Sequence, residues 1–172
     1  MRIVALILAC LTAASTLAQG KPPENPEVIK AMKEVAFITG EWEGEGWYMV
    51  NGQKSTSKVT EKIALKAGGA VLSLEGKGVD SAGRVVHDAF GILYYEPSTK
   101  DYRMRSFLAG ETGGEHHATA KNGVIVWTIK SQRTIRYTIK LDEQGRWLEI
   151  GEMDMGDGKW FQFFEMRLKK IK

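Results

Sequence analysis

The sequence of 172 residues holds one cysteine, Cys10, and it lies inside an N-terminal apolar run. A chain that loses that run has no disulfide, no thiolate nucleophile and no sulfur ligand for a metal. Histidine is almost as scarce: His87, His116 and His117. Neighbouring residues on a strand face opposite ways, so His116 and His117 cannot both reach one interior metal. They follow a glycine-rich break and read as a surface pair. No zinc motif, phosphate loop or Ser-His-Asp arrangement is present. No second run is long and apolar enough to span a membrane as a helix. The formal charge of +3 falls to about +2 without Arg2. Basic residues are scattered, gathering only as Lys169, Lys170 and Lys172, so the basic stripe of a nucleic-acid-binding protein is missing. There are no repeats and no low-complexity tract.

What is present begins with an address. Arg2 opens the chain, residues 3–14 are almost wholly apolar, and Thr16-Leu17-Ala18 offers small residues for a cut after Ala18. Residues 1–18 read as a secretory signal peptide, which makes the protein exported, periplasmic or secreted. The alternative is lipoprotein anchoring at Cys10, but the apolar run before it would be very short. Residues 19–24 form a polar tether, and 25–172 one domain. A domain of about 150 residues buries roughly 68–70% of its unfolded surface, enough to fold without disulfides.

Asn25-Pro26-Glu27 starts a helix: an N-cap, a proline at the first helical position and an acid at the positive end of the dipole. Val28, Ile29, Met32, Val35 and Ala36 repeat at helical spacing, which carries the helix to about Phe37. After Gly40 the period becomes two. Asn51-Gly52 and Lys121-Asn122-Gly123 are hairpin signals, with further turns at 66–69, 80–83, 142–145 and 156–158. About ten strands follow one another through short turns. Short turns make neighbours antiparallel, and a meander that curls until its ends pair has no exposed edges. The expected fold is all-β, a ten-stranded antiparallel up-and-down barrel with a short N-terminal helix over one end.

In Gly40-Glu41-Trp42-Glu43-Gly44-Glu45-Gly46-Trp47-Tyr48 the glutamates share one parity, and Trp42, Gly44, Gly46 and Tyr48 the other, inner one. Several inner positions are polar. Glu61 lies among Val59, Ile63 and Leu65, Tyr137 between Ile135 and Ile139, and Gln162 between Trp160 and Phe164. Either orientation of residues 147–154 turns one glutamate inward, Glu149 or Glu152. A buried carboxylate needs a partner or a raised pKa. Arg103 and Arg105 are candidate partners, unless they face water. Tyr48, Glu61, Arg103, Arg105, Tyr137, Glu149 and Gln162 are therefore the candidate ligand-binding residues. A small apolar or amphipathic molecule is the expected partner. A barrel enzyme with acid–base chemistry on Glu61, Glu149, Tyr137 and Arg105, or a ligand-free envelope module, is the alternative.

A helix followed by Gly-x-Trp at the head of an up-and-down barrel resembles the calycin group of lipocalins and fatty-acid-binding proteins. The run GEWEGEG and the final WFQFFEMRLKK are most similar to nitrobindin-like, haem-binding-type barrels and to a family of exported bacterial lipocalin-like proteins. The resemblance covers roughly residues 37–170. It implies that Trp42 packs at the closed end against an arginine of the last strand, here Arg167. It implies a carboxylate anchor of Arg103 or Arg105 with Tyr137. It also implies a haem-ligating histidine in the last strand, but Phe163 stands in the position that aligns best and the strand has no histidine. No cofactor is expected.

Overall fold

The computed structural model describes residues 24–111 and 113–172. The signal-peptide reading and most of the tether lie outside the described residues. Helix α1 (Pro26–Lys33) precedes strands β1 (Gly40–Val50), β2 (Gln53–Lys66), β3 (Val71–Val79), β4 (Val85–Glu96) and β5 (Asp101–Leu108). Then come β6 (Gly114–Lys121), β7 (Val124–Lys130), β8 (Thr134–Leu141), β9 (Trp147–Gly156) and β10 (Lys159–Lys170). Each strand pairs with the next, and β1 pairs antiparallel with β10, which closes the barrel. Asn51-Gly52, Asn122-Gly123 and Asp157-Gly158 all take positive φ at both positions. That is the backbone of a two-residue hairpin whose twist matches its strands.

The Asn25 side chain caps α1 by accepting from the N–H groups of Glu27 and Val28. The helix stops four residues before the expected Phe37. Glu34 and Val35 donate to Ala31 and Met32, three residues back, and this tightening leads into a 3-10 turn at Ala36–Ile38. Met32, Val35 and Ile38 are fully buried against the barrel end. Tyr102 of β5 donates a 2.8 Å hydrogen bond to the Ala31 carbonyl, tying the helix to the wall. Above them a floor of Trp42, Ile63, Leu72, Leu93, Ile125, Ile139, Trp147 and Leu168 is packed almost without exposure.

Trp42 sits in that floor. Its ring meets Trp147 edge-on at 5.8 Å, and its Nε1 donates to the Ile38 carbonyl at 2.9 Å. The expected arginine partner is absent from the ring. Arg167 points outward to Glu165 and Asp142, because it stands between inward Met166 and Leu168. The cation over Trp42 is Lys170, with Nζ 5.4 Å from the ring centre. Gly44 has a plain packing reason: a Cβ there would run into the backbone carbonyl of Arg167, so β1 could not close on β10. The thin wall at Gly44 and Gly46 is filled by β10 backbone, Met166 and Val59 rather than left open.

A candidate ligand site inside the barrel

Cross-strand register fixes which side chains point inward, since directly opposed residues share a face. Trp42 opposes Glu61 and Glu61 opposes Gly76. Across the barrel, Ile139 opposes Glu149 and Tyr137 opposes Gly151, while Trp127 opposes Tyr137. Glu61 and Glu149 therefore both face the interior, each one inward step above the floor residues Ile63 and Trp147. Glu152 is on the other face, where it accepts from Arg136 at 2.9 Å.

The Glu61 carboxyl lies over Gly76, its oxygens 2.5 and 2.9 Å from where a Cβ would stand. A Cβ at Gly76 would require the Glu61 carboxyl to move aside. Neither interior carboxyl forms an ion pair among the described residues. Burial pushes Glu61 up to about 8, and the nearby Glu149 carboxylate pushes the same way. Burial pushes Glu149 up to about 7 against a downward pull from the indole N–H groups of Trp147 and Trp127. Those two N–H groups are buried and complete no hydrogen bond. Their contact with Glu149 is thus electrostatic, without the geometry of a full hydrogen bond. Tyr137 is raised to about 12 by burial and by Glu149.

An aromatic row crosses the wall beside Glu149. Trp127 and Tyr137 stack at 4.3 Å, His116 lies 5.7 Å from Trp127, and Phe163 and Phe164 both meet Tyr137 edge-on at 5.9 Å. Gly151 makes room for it: a Cβ there would press on Tyr137, Phe164 and Phe163. Above this level the inward positions open to solvent. Tyr48, Ser55, Ser57, Ser106, His116, Ile129, Ile135 and Met153 are half-buried, and His87, Leu108 and Phe161 are exposed. The barrel is packed at the helix end and open at the other.

The wall carries a furrow of about 830 Å³ over β2 to β5, edged by the outward side chains of Lys62, Glu75, Lys77, Phe90 and Phe107, and its lining also takes in Trp42, Glu61 and Gly76. The furrow therefore borders one member of the carboxyl pair, Glu61, and leaves Glu149 out.

Among solved structures, the chain is similar to the crystal structure of Rv2717c from M. tuberculosis, with a TM-score of 0.64 at 12% identity. The match covers 84% of this chain and 99% of that one. The two share a barrel fold. At this identity the likeness speaks for fold alone. No family model matches the sequence, and a search of curated proteins returns no match.

Of the candidate residues, Tyr48, Glu61, Tyr137 and Glu149 face inward, and three do not. Arg103 and Arg105 alternate with inward Tyr102, Met104 and Ser106, so they point out. Arg103 reaches Asp101 at 3.4 Å, and Arg105 lies over the Phe107 ring at 5.6 Å. Neither can partner an interior carboxylate, which removes the expected arginine–tyrosine anchor. Gln162 is turned outward by a bulge. Phe164 opposes Gly151 while Gln162 opposes Glu152, so Phe163 is an extra residue and the parity flips below it. Gln162 then donates to Glu165 at 2.9 Å on the outer wall.

Three residues of the site escape the sequence pattern: His116, Trp127 and Trp147. His116 is not part of a surface pair. It faces in, and burial lowers its pKa, while His117 faces out to Asp101 at 3.2 Å. Trp127 lies in a strand apolar on both parities, where alternation carries no orientation. Trp147 shares its parity with Glu149, and that common face was the available signal.

Proposed function

We propose that this protein is an exported barrel that binds a small apolar or amphipathic molecule in the open half of its interior. The observation that carries the reading is the change along the barrel axis. Inward positions pass from a sealed floor, through an aromatic row with two unpaired carboxyls, to half-exposed residues at the mouth. Concave apolar sites with a few convergent polar groups are where barrels hold ligands. Export is supported by Arg2, the apolar run of residues 3–14 and the small residues before Gln19.

Acid–base catalysis is the second reading, favoured by two carboxyls that exchange protons near neutrality. Against it, Tyr137 forms no hydrogen bond to either carboxyl among the described residues, and no arginine faces them.

Native mass spectrometry of the purified protein, followed by titration with the neutral fluorophore N-phenyl-1-naphthylamine, tests the binding reading. Saturable one-to-one binding is expected, and Ser106→Trp, which fills the open half from β5, abolishes it. Binding that survives Ser106→Trp unchanged places the ligand elsewhere and overturns the reading.

A further inference from the structure

We propose that the interior site takes an organic cation, an ammonium group borne on an aromatic or aliphatic body, with its charge between Glu61 and Glu149 and its body on the Trp127–Tyr137 stack. The inference rests on the binding reading above and names the class of ligand.

The interior is acidic and unbalanced. Arg103, Arg105, Arg136, Arg167, Lys58, Lys62 and Lys77 all stand on outward positions of their strands, by the register that turns Glu61 and Glu149 in. Lys170 alone approaches from the floor rim, and it sits over Trp42 without pairing Glu61. Glu149 is 8% exposed and has no cationic partner among the described residues. A buried carboxyl so placed either keeps its proton or gains a counter-charge.

The groups that face the pair from each packed element are few. Tyr137 comes from β8, Trp127 from β7 and Trp147 from β9 itself. Farther toward the mouth stand His116 on β6, half-buried, and His87 on β4, exposed, and desolvation of the ring lowers the pKa of both. The buried indole N–H groups of Trp127 and Trp147, which complete no hydrogen bond yet pull on Glu149, are the second mark of a site. They complement a carboxylate at Glu149, the state that an arriving cation would favour. The ring faces of Trp127, Tyr137 and Phe164 attract a cation through their quadrupoles, an interaction that strengthens away from water. An anionic ligand would meet two carboxyls and no base. A neutral one would leave both carboxyls without a counter-charge.

Isothermal titration of the purified protein with 2-phenylethylammonium, 2-phenylethanol and 3-phenylpropionate separates these cases. The ammonium is expected to bind at least tenfold more tightly than the alcohol at pH 7.5, and the carboxylate not measurably. Because binding draws a proton off the carboxyl pair, affinity for the ammonium should rise about fivefold between pH 6 and 7 as the group at about 7 titrates. Heats measured in buffers of different ionisation enthalpy should show the released proton. Glu61→Gln and Glu149→Gln should each weaken the ammonium about tenfold, with circular dichroism showing that the variants fold. If the alcohol or the carboxylate binds as tightly as the ammonium, the cation is overturned and the interior site stands. If no probe binds, both are overturned.

Discussion

Glu61 and Glu149 are the residues at which sequence, fold and chemistry meet. Each holds its proton more tightly in the folded barrel than in the unfolded chain, because burial disfavours the charge. The stability they contribute is complete below their unfolded value near 4.5 and is lost as pH rises through about 7 to 8. The unliganded protein should therefore lose Tm between pH 5 and pH 8.5. The free energy involved is on the order of a few kcal/mol for the pair, after allowance for the solvent that reaches Glu61. Glutamine has the same shape and no charge, so Glu149→Gln should flatten the profile and raise Tm at pH 8.5. Thermal denaturation followed by circular dichroism at the two pH values checks it, and equal slopes for wild type and variant would contradict the raised pKa. At this scale the sequence was informative wherever polar and apolar residues alternate. Glu61 among Val59, Ile63 and Leu65 could be oriented by inspection, and Glu149 was one of two choices. Of the two readings open for the arginines, the structure takes the one in which they face outward: Tyr102, Met104 and Leu108 share the inner parity, but Phe107 shares the arginines' parity and left the strand without a clear face.

At the scale of elements, β10 shows why alternation has a limited range. The one extra residue at Phe163 flips every position before it, so Gln162 moves from the inner wall to the outer while Phe164, Met166 and Leu168 stay inside. Nothing in Trp160-Phe161-Gln162-Phe163-Phe164 marks where a bulge falls, since apolar residues occupy both parities. Strand existence and hairpin positions were legible because Asn-Gly and Asp-Gly turns are local chemistry. Strand register across a bulge is settled by the neighbouring strand. Helix α1 is a case of the opposite kind: its cap and stripe are local, but its place over the barrel end depends on a partner 71 residues away in sequence, the Tyr102 hydroxyl bonded to Ala31. Tyr102→Phe removes that donor and little else. It should cost about 1 kcal/mol of stability, the usual net worth of such a bond. Amide hydrogen exchange should quicken in Pro26–Lys33 before it changes in the strands. Unchanged exchange in the helix would mean that burial of Met32 and Val35 alone holds it down.

For the molecule as a whole, stability comes from closure and a packed floor, with no covalent brace. Among the described residues all ten strands are paired on both sides, so the barrel itself leaves no edge to template another chain. The only sulfur able to form a disulfide is Cys10, in the segment read as a signal peptide. Processing and redox behaviour are thereby linked. If the leader is cut after Ala18, the mature chain starts at Gln19 and carries no thiol. Its intact mass should then equal that of residues 19–172, a thiol-specific reagent should add nothing to it, and a reductant should leave its Tm unmoved. A chain that keeps Cys10 as a lipid-modified N-terminus would give a heavier mass and partition into detergent. A chain that keeps its full length would add one reagent molecule per protein. The second outcome would overturn the cut after Ala18, and the third would overturn export itself.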